Sequence, residues 1–271
     1  MNPTQVDPLV EYEAALFANR RVFLLNHTWA FFAYRQIHET FTALGLVLSQ
    51  GRDKDRNSHV GLIPFLLIMQ RQSVNAFLSL ASLQSFQAWV LLRPCLEACL
   101  IAGRWVDDPG NATIWRNRDS DPKAYRKRFE GKALHSASLP GSDRIQTVLK
   151  AINDDFLHAN PRYYDRHTDM ERLDPDSYFL KLEYFDDEQD YLAHTFAFLH
   201  LLVFIQESFS EMLAATIADQ PKVPAGLSAL EGTLMPHVVD FLTKYPGRRR
   251  VIEELGVWPL ASGLQPGSTV P

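Results

Sequence analysis

Four charged residues share one stripe of a mostly apolar predicted helix. Arg93, Glu97, Arg104 and Asp108 are spaced i, i+4, i+11 and i+15, and this spacing places them along one helical face. Arg93 and Glu97 interrupt a run of Leu, Val, Cys and Ala that would otherwise be core. Charges buried there need partners. The pattern fits a structural ion pair, a ligand or catalytic pocket, or an exposed face, and we select Arg93 and Glu97 as ligand-binding candidates.

The densest polar and aromatic segment is FLHANPRYYDRHTD, residues 156–169. Its His, Arg and Tyr side chains could transfer protons, pair with phosphate or stack on bases. As a loop after a helix it could line a site, or it could be a connection anchored by its tyrosines. We select His158 as a third ligand-binding candidate, and we hypothesise that this loop faces the Arg93 and Glu97 stripe across one pocket.

No pattern in the sequence predicts a metal or a cofactor. Cys95 and Cys99 lie four apart in an apolar run, which favours two buried reduced thiols over a disulfide or a metal site. Glu207 and Glu211 could serve a carboxylate-bridged bundle, but the Glu-x-x-His pairs of such bundles are absent from the sequence. The usual phosphate-loop, dinucleotide, serine hydrolase and zinc protease motifs are also absent.

Three short segments, LLRPCLEACL (91–100), WVDDPGNA (105–112) and FLHANP (156–161), resemble a group of all-helical bacterial proteins. Some of these are distantly similar to the HEPN superfamily, helical bundles that include RNA-cleaving toxins and antiphage effectors. That family carries Arg, four to six residues and then His. The resemblance implies that Arg162 and His167 would position and protonate a scissile phosphate.

Two functions follow as hypotheses. The first is a bacterial helical protein that binds a partner protein or a small ligand. The alternative is a HEPN-like, metal-independent ribonuclease or toxin used in defence, with RNA as its partner. Whether the protein is an enzyme stays open at this point, and so does a homodimer.

Charge and hydropathy limit location and partners. The formal charge is −5, so the protein has no overall positive field that would attract a polyanion at long range. The segment MNPTQVDPLVEYE carries acids where a signal peptide carries Lys or Arg, so we expect a cytoplasmic protein. Two apolar stretches, 72–92 and 191–206, favour buried core helices over membrane spans.

The apolar periodicity predicts an all-α protein, a single bundle of long antiparallel helices with short peripheral helices and at most a minor hairpin. We assign 1–258 to one helical domain and 259–271 to a flexible tail. The predicted helices are 8–49 (one, or two nearly collinear), 62–83, 85–106 with a kink or break before Pro94, 111–118, 122–132, 144–158 capped by Ser142 or Asp143, 188–218, 234–244 and 246–255. A strand or hairpin arm is predicted at 178–185.

Overall fold

The computed structural model describes residues 7–50, 60–157, 168–174, 177–182, 185–216 and 227–260; for residues 50, 169–174, 177–182, 227 and 228 it describes the backbone alone. Within these ranges the chain forms ten α-helices and one two-stranded hairpin, which confirms the predicted all-α bundle. The long helices are α1 (Pro8–Asn26), α2 (Thr28–Gln50), α3 (Ile63–Ala81), α4 (Ser85–Asp107), α8 (Glu188–Thr216) and α9 (Leu227–Lys244). The short ones are α5 (Asn111–Arg116), α6 (Pro122–Phe129), α7 (Ser142–Ile152) and α10 (Arg249–Gly256).

The hairpin confirms the predicted strand. Strand β1 (Thr168–Asp174) pairs antiparallel with β2 (Ser177–Leu182). The register joins Thr168 to Leu182 and Asp174 to Ser177, with an irregularity between Arg172 and Asp174.

The first helical stretch is two helices that separate at His27. This residue leaves helical geometry (φ −122°, ψ 51°), and its backbone N–H ends α1 by donating to the Phe23 carbonyl. The imidazole Nε2 of His27 lies 3.1 Å from the hydroxyl of Tyr191 on α8. The break therefore coincides with a tertiary contact, and no Pro or Gly marks it in the sequence.

Two local predictions about α4 and α7 are wrong. Helix α4 continues through Pro94 from Ser85 to Asp107, so the predicted break is absent, whereas the alternative of a kink stays a prediction. The buried residues around Pro94 hold the helix although one backbone hydrogen bond is lost. Neither Ser142 nor Asp143 caps α7: the N-cap is Gly141, in the left-handed region at φ 71°. The Ser142 hydroxyl accepts instead from the Ser136 N–H (3.0 Å).

Helix α8 is the central element, as its apolar sequence predicts. Most of its residues are buried, and it packs against α2, α4, α9 and α10. Helix α9 begins at Leu227, seven residues before the predicted start at 234, and continues through Pro236. By length and composition α4 and α8 could each cross a membrane. However, 61% of the most apolar 18-residue stretch of α4 and 89% of that of α8 are buried in the fold, as in core helices.

A candidate binding groove between α4 and α7

A groove of about 750 Å³ lies between α4, α7 and the segment 129–134. Helix α4 contributes Arg93 and Glu97. Helix α7 and the residue after it contribute a face made of Asp143, Gln146, Thr147, Leu149, Lys150 and Asn153. This volume lies within the range of small-molecule sites.

Arg93 and Glu97 form the predicted ion pair at the α4 side of the groove. Arg93 Nη2 lies 2.8 Å from Glu97 Oε1, and the two side chains remain 37% and 31% exposed. The pairing is confirmed, but the expected burial is wrong. The groove keeps one side of the pair open to solvent, so the pair is accessible to a ligand.

The other half of the stripe is separate from the groove and does not pair as its spacing suggests. Arg104 pairs with Asp107 (3.1 Å), and Asp108 pairs with Arg128 (2.6 Å). Asp108 is the C-cap of α4 and has extended geometry (φ −153°, ψ 108°). Its side chain therefore leaves the helical stripe that the i+4 spacing from Arg104 assumed.

Helix α7 positions the second wall by its amphipathicity. Ile145, Val148 and Ile152 are buried, so the residues on the other face are directed away from the core. The groove-lining residues Asp143, Gln146, Lys150 and Asn153 recur at i, i+3, i+7 and i+10. Sequence reasoning missed this wall, because the same spacing is typical of an ordinary solvated helix face.

The third side of the groove combines an apolar base with a charged rim. Phe129 and Leu134 are buried, whereas Glu130 and Lys132 are exposed. Gly131 has φ +57° and begins the 3₁₀ turn, a conformation that strongly favours glycine. The turn brings one acidic and one basic side chain to the edge of the groove.

Asp107 fixes the segment that leads from this rim to α7. Its Oδ1 accepts from the Ser138 N–H (2.8 Å) and the Ser136 hydroxyl (3.1 Å), and its Oδ2 accepts from the Ala137 N–H (3.3 Å) and Arg104 Nη1 (3.1 Å). Burial by itself would raise the pKa of Asp107, but hydrogen bonds from Ser138, Ser136 and Arg104 outweigh it and lower the pKa. A charged carboxylate therefore holds this connection against the end of α4.

Three buried polar atoms without a hydrogen-bond partner lie on residues of the groove: Arg93 Nε, Gln146 Nε2 and Asn153 Oδ1. Five such atoms occur in the described part of the chain. Unsatisfied buried polar groups are rare in native proteins, because each costs about 1–3 kcal/mol. Their concentration at one groove distinguishes it from an ordinary surface depression.

A π-helical turn, Asn153–Leu157, follows α7 directly. Asn153 is both its first residue and one of the three residues with an unpartnered atom. Phe156 in the same turn packs near Trp89 of α4, with ring centroids 6.1 Å apart. Such turns are frequent at functional sites, and this one fixes where the wall of the groove ends.

The charges of the groove are balanced. Arg93, Lys132 and Lys150 contribute three cations, and Glu97, Glu130 and Asp143 contribute three anions. Burial raises the pKa of the nearby Tyr125; the Arg118 guanidinium opposes this shift, whereas the carboxylates of Glu97 and Glu130 add to it. The groove therefore offers donors and acceptors without a net field of either sign.

The remaining predicted site residues, His158, Arg162 and His167, lie outside the described residues. The catalytic role of Arg162 and His167 therefore stays a prediction. So does the pocket between the 156–167 loop and the Arg93 and Glu97 stripe. Among the described residues, no group of three or more His, Cys, Asp or Glu could hold a metal ion. Cys95 and Cys99 are buried free thiols, and burial raises the pKa of Cys99 to about 12.

The fold and the groove define an all-α protein with a charge-balanced, small-molecule-sized site. No protein-family model, curated protein or solved structure matches the chain.

Proposed function

We propose that this protein binds a small polar ligand in the groove between α4 and α7. The proposal is carried by the three unpartnered atoms Arg93 Nε, Gln146 Nε2 and Asn153 Oδ1, which belong to residues that line the groove. These atoms are covered in the free protein, so a bound polar molecule would become their partner when the three side chains turn toward the groove. The cost of leaving these atoms buried is recovered when the ligand binds.

The chemistry of these atoms defines the ligand class. Arg93 Nε and the Gln146 amide nitrogen donate hydrogen bonds, whereas Asn153 Oδ1 accepts one. A matching molecule carries a carboxylate or carbonyl together with an N–H group, as amino acids and related amides do. The balanced rim charges favour a zwitterionic or neutral molecule over a polyanion.

The proposal is tested by exchanging an unpartnered amide for an apolar group of similar shape. We expect Gln146→Met to raise the free energy of unfolding of the free protein by up to about 1 kcal/mol, because the desolvation cost of the amide disappears. The same variant should lose the ligand-induced rise in Tm in a thermal-shift screen of free amino acids and their amides.

Gln36→Met on the exposed side of α2 is the matched control and should leave both the stability and the ligand response unchanged. The proposal is refuted if the whole panel leaves the wild-type Tm unchanged. It is also refuted if Gln146→Met keeps the full ligand response.

A further inference from the structure

Helix α1 presents an apolar face to solvent. Val10, Phe17 and Leu25 are 58%, 66% and 67% exposed, and the exposed Ala14 and Ala18 lie between them. At 100° per residue these five side chains fall on one side of the helix, which we call the outer face of α1. The exposed Arg21 lies on the same side, between Phe17 and Leu25. Several large apolar side chains exposed along one helix face suggest an interaction site.

The inner side of α1 contacts the bundle through a small number of side chains: Arg20 donates to the Ser82 hydroxyl, and Phe23 packs against Phe77 and Tyr191. Phe23 is the one buried residue of its 19. Isolated helices of this length are marginal in water, and packing normally supplies most of their stability. A partner on the outer face would add packing on the side of α1 that the described part of the chain leaves exposed.

Charge is divided between the two ends of α1. Glu11 and Glu13 lie in the N-terminal half, and Arg21 lies in the C-terminal half. In the described part of the chain, none of these three side chains has an ion-pair partner. A second α1 in antiparallel orientation would place the acidic half of each helix beside the basic half of the other, whereas a parallel one would place like charges together.

We propose that a second copy of this chain covers the outer face, with the two α1 helices antiparallel about a twofold axis. The register that sets Val10 opposite Leu25 places the axis between Phe17 and Ala18. It also brings Arg21 beside Glu11 and Glu13 of the other copy. Such an interface is self-complementary, as twofold symmetry requires.

The proposed contact runs along α1, which is about 28 Å long. A stable interface buries on the order of 800 Å² per partner, so the proposal requires apolar surface next to α1 to take part. Phe31 and Phe32 at the start of α2 are 42% and 57% exposed.

Sedimentation velocity of the full chain tests the proposal. We expect a wild-type dimer, and we expect Phe17→Glu and Arg21→Glu each to weaken it by at least tenfold in Kd. Leu67→Glu is the matched control, because Leu67 is 58% exposed on α3 and should leave the dimer intact. Circular dichroism checks that each variant folds. A monomeric wild type at its highest soluble concentration overturns the proposal, even if that monomer binds lipid vesicles.

Two further variants test the orientation. Ala18→Cys should form a disulfide with itself across the axis, whereas Val10→Cys should not, because the two copies of residue 10 lie at opposite ends of the antiparallel pair. Equal cross-linking of both variants would indicate parallel helices and contradict the proposed antiparallel arrangement. In the Arg21→Glu background, adding Glu11→Arg and Glu13→Arg should restore the dimer, and failure to do so argues against the charge pairing.

Discussion

At the scale of single residues, the groove contains side chains whose hydrogen-bonding capacity is incompletely used. Arg93 shows this most clearly, because its Nη2 pairs with Glu97 while its Nε is buried without a partner. The Arg93 side chain as a whole is 37% exposed beside the groove, so a carboxylate or carbonyl of a ligand can approach its exposed part.

The partial exposure of the Arg93–Glu97 pair lowers its expected contribution to stability. We expect Glu97→Ala to reduce the free energy of unfolding by less than about 1 kcal/mol, as for other solvent-accessible ion pairs. Urea denaturation of the wild type and of Glu97→Ala measures the difference. A loss of several kcal/mol would mean that the pair is desolvated and that the groove is closed in solution.

The two cysteines should be chemically silent in the folded protein. Cys95 and Cys99 are buried, and burial raises the pKa of Cys99 to about 12, so almost no thiolate forms near neutral pH. We expect iodoacetamide at pH 8 to label neither residue in the native protein within a time that labels both in urea. Rapid native labelling, read by mass spectrometry, would contradict this prediction.

At the scale of elements, the end of α4 positions the rim of the groove through Asp107. Its carboxylate accepts four hydrogen bonds from Arg104 and residues 136–138. Close packing adds to this anchor, because a Cβ on Gly103 would lie 2.6 Å from the Ser136 hydroxyl oxygen. The start of α7 is therefore set by contacts made 30 residues away in the sequence.

We expect Asp107→Asn to destabilise the protein by about 2 kcal/mol, because an amide cannot accept from all of these donors and loses the charge. The pKa of Asp107 is lowered in the folded state. Its stabilising contribution is therefore complete above the ordinary carboxyl pKa and is lost as the pH falls through the lowered value.

Urea titrations of the wild type and of Asp107→Asn at neutral and acid pH measure both the loss of stability and its pH dependence. The difference in free energy of unfolding between the two proteins should shrink in acid. Glu39→Gln is the control, since Glu39 pairs with Arg35 at 61% exposure and should change stability little at either pH. A constant Asp107→Asn difference across the titration would show that the carboxylate charge is unimportant.

At the scale of the whole molecule, one continuous cluster of buried side chains extends from Phe23 to Leu260. The helices in it should therefore unfold together. We expect thermal unfolding followed by far-UV circular dichroism and by tryptophan fluorescence to coincide in one transition, since Trp89, Trp105 and Trp258 are buried in different parts of the cluster. Separate midpoints would indicate more than one cooperative domain.

The sequence by itself determined the helical architecture. Apolar periodicity located the long helices, although it placed the start of α9 seven residues too late, and the i+4 spacing predicted the pairing of Arg93 with Glu97. These features depend on neighbours within a few residues, and such local information is present in the sequence. The break at His27 and the continuity of α4 through Pro94 depend on contacts with distant residues. Local patterns therefore left one or two helices open over 8–49 and a kink or a break open at Pro94.

Only the tertiary structure decided which polar residues share a site. Arg93 and Asn153 are 60 positions apart. The sequence marks Arg93 as a charge in an apolar run, whereas the spacing around Asn153 is ordinary on a solvated helix. Packing of α7 beside α4 turned these two faces toward one groove, and the turn at 129–134 closed its third side. The physical reason is that burial and hydrogen-bond satisfaction depend on the surroundings of a side chain in space, which are set by the packing of all the helices together.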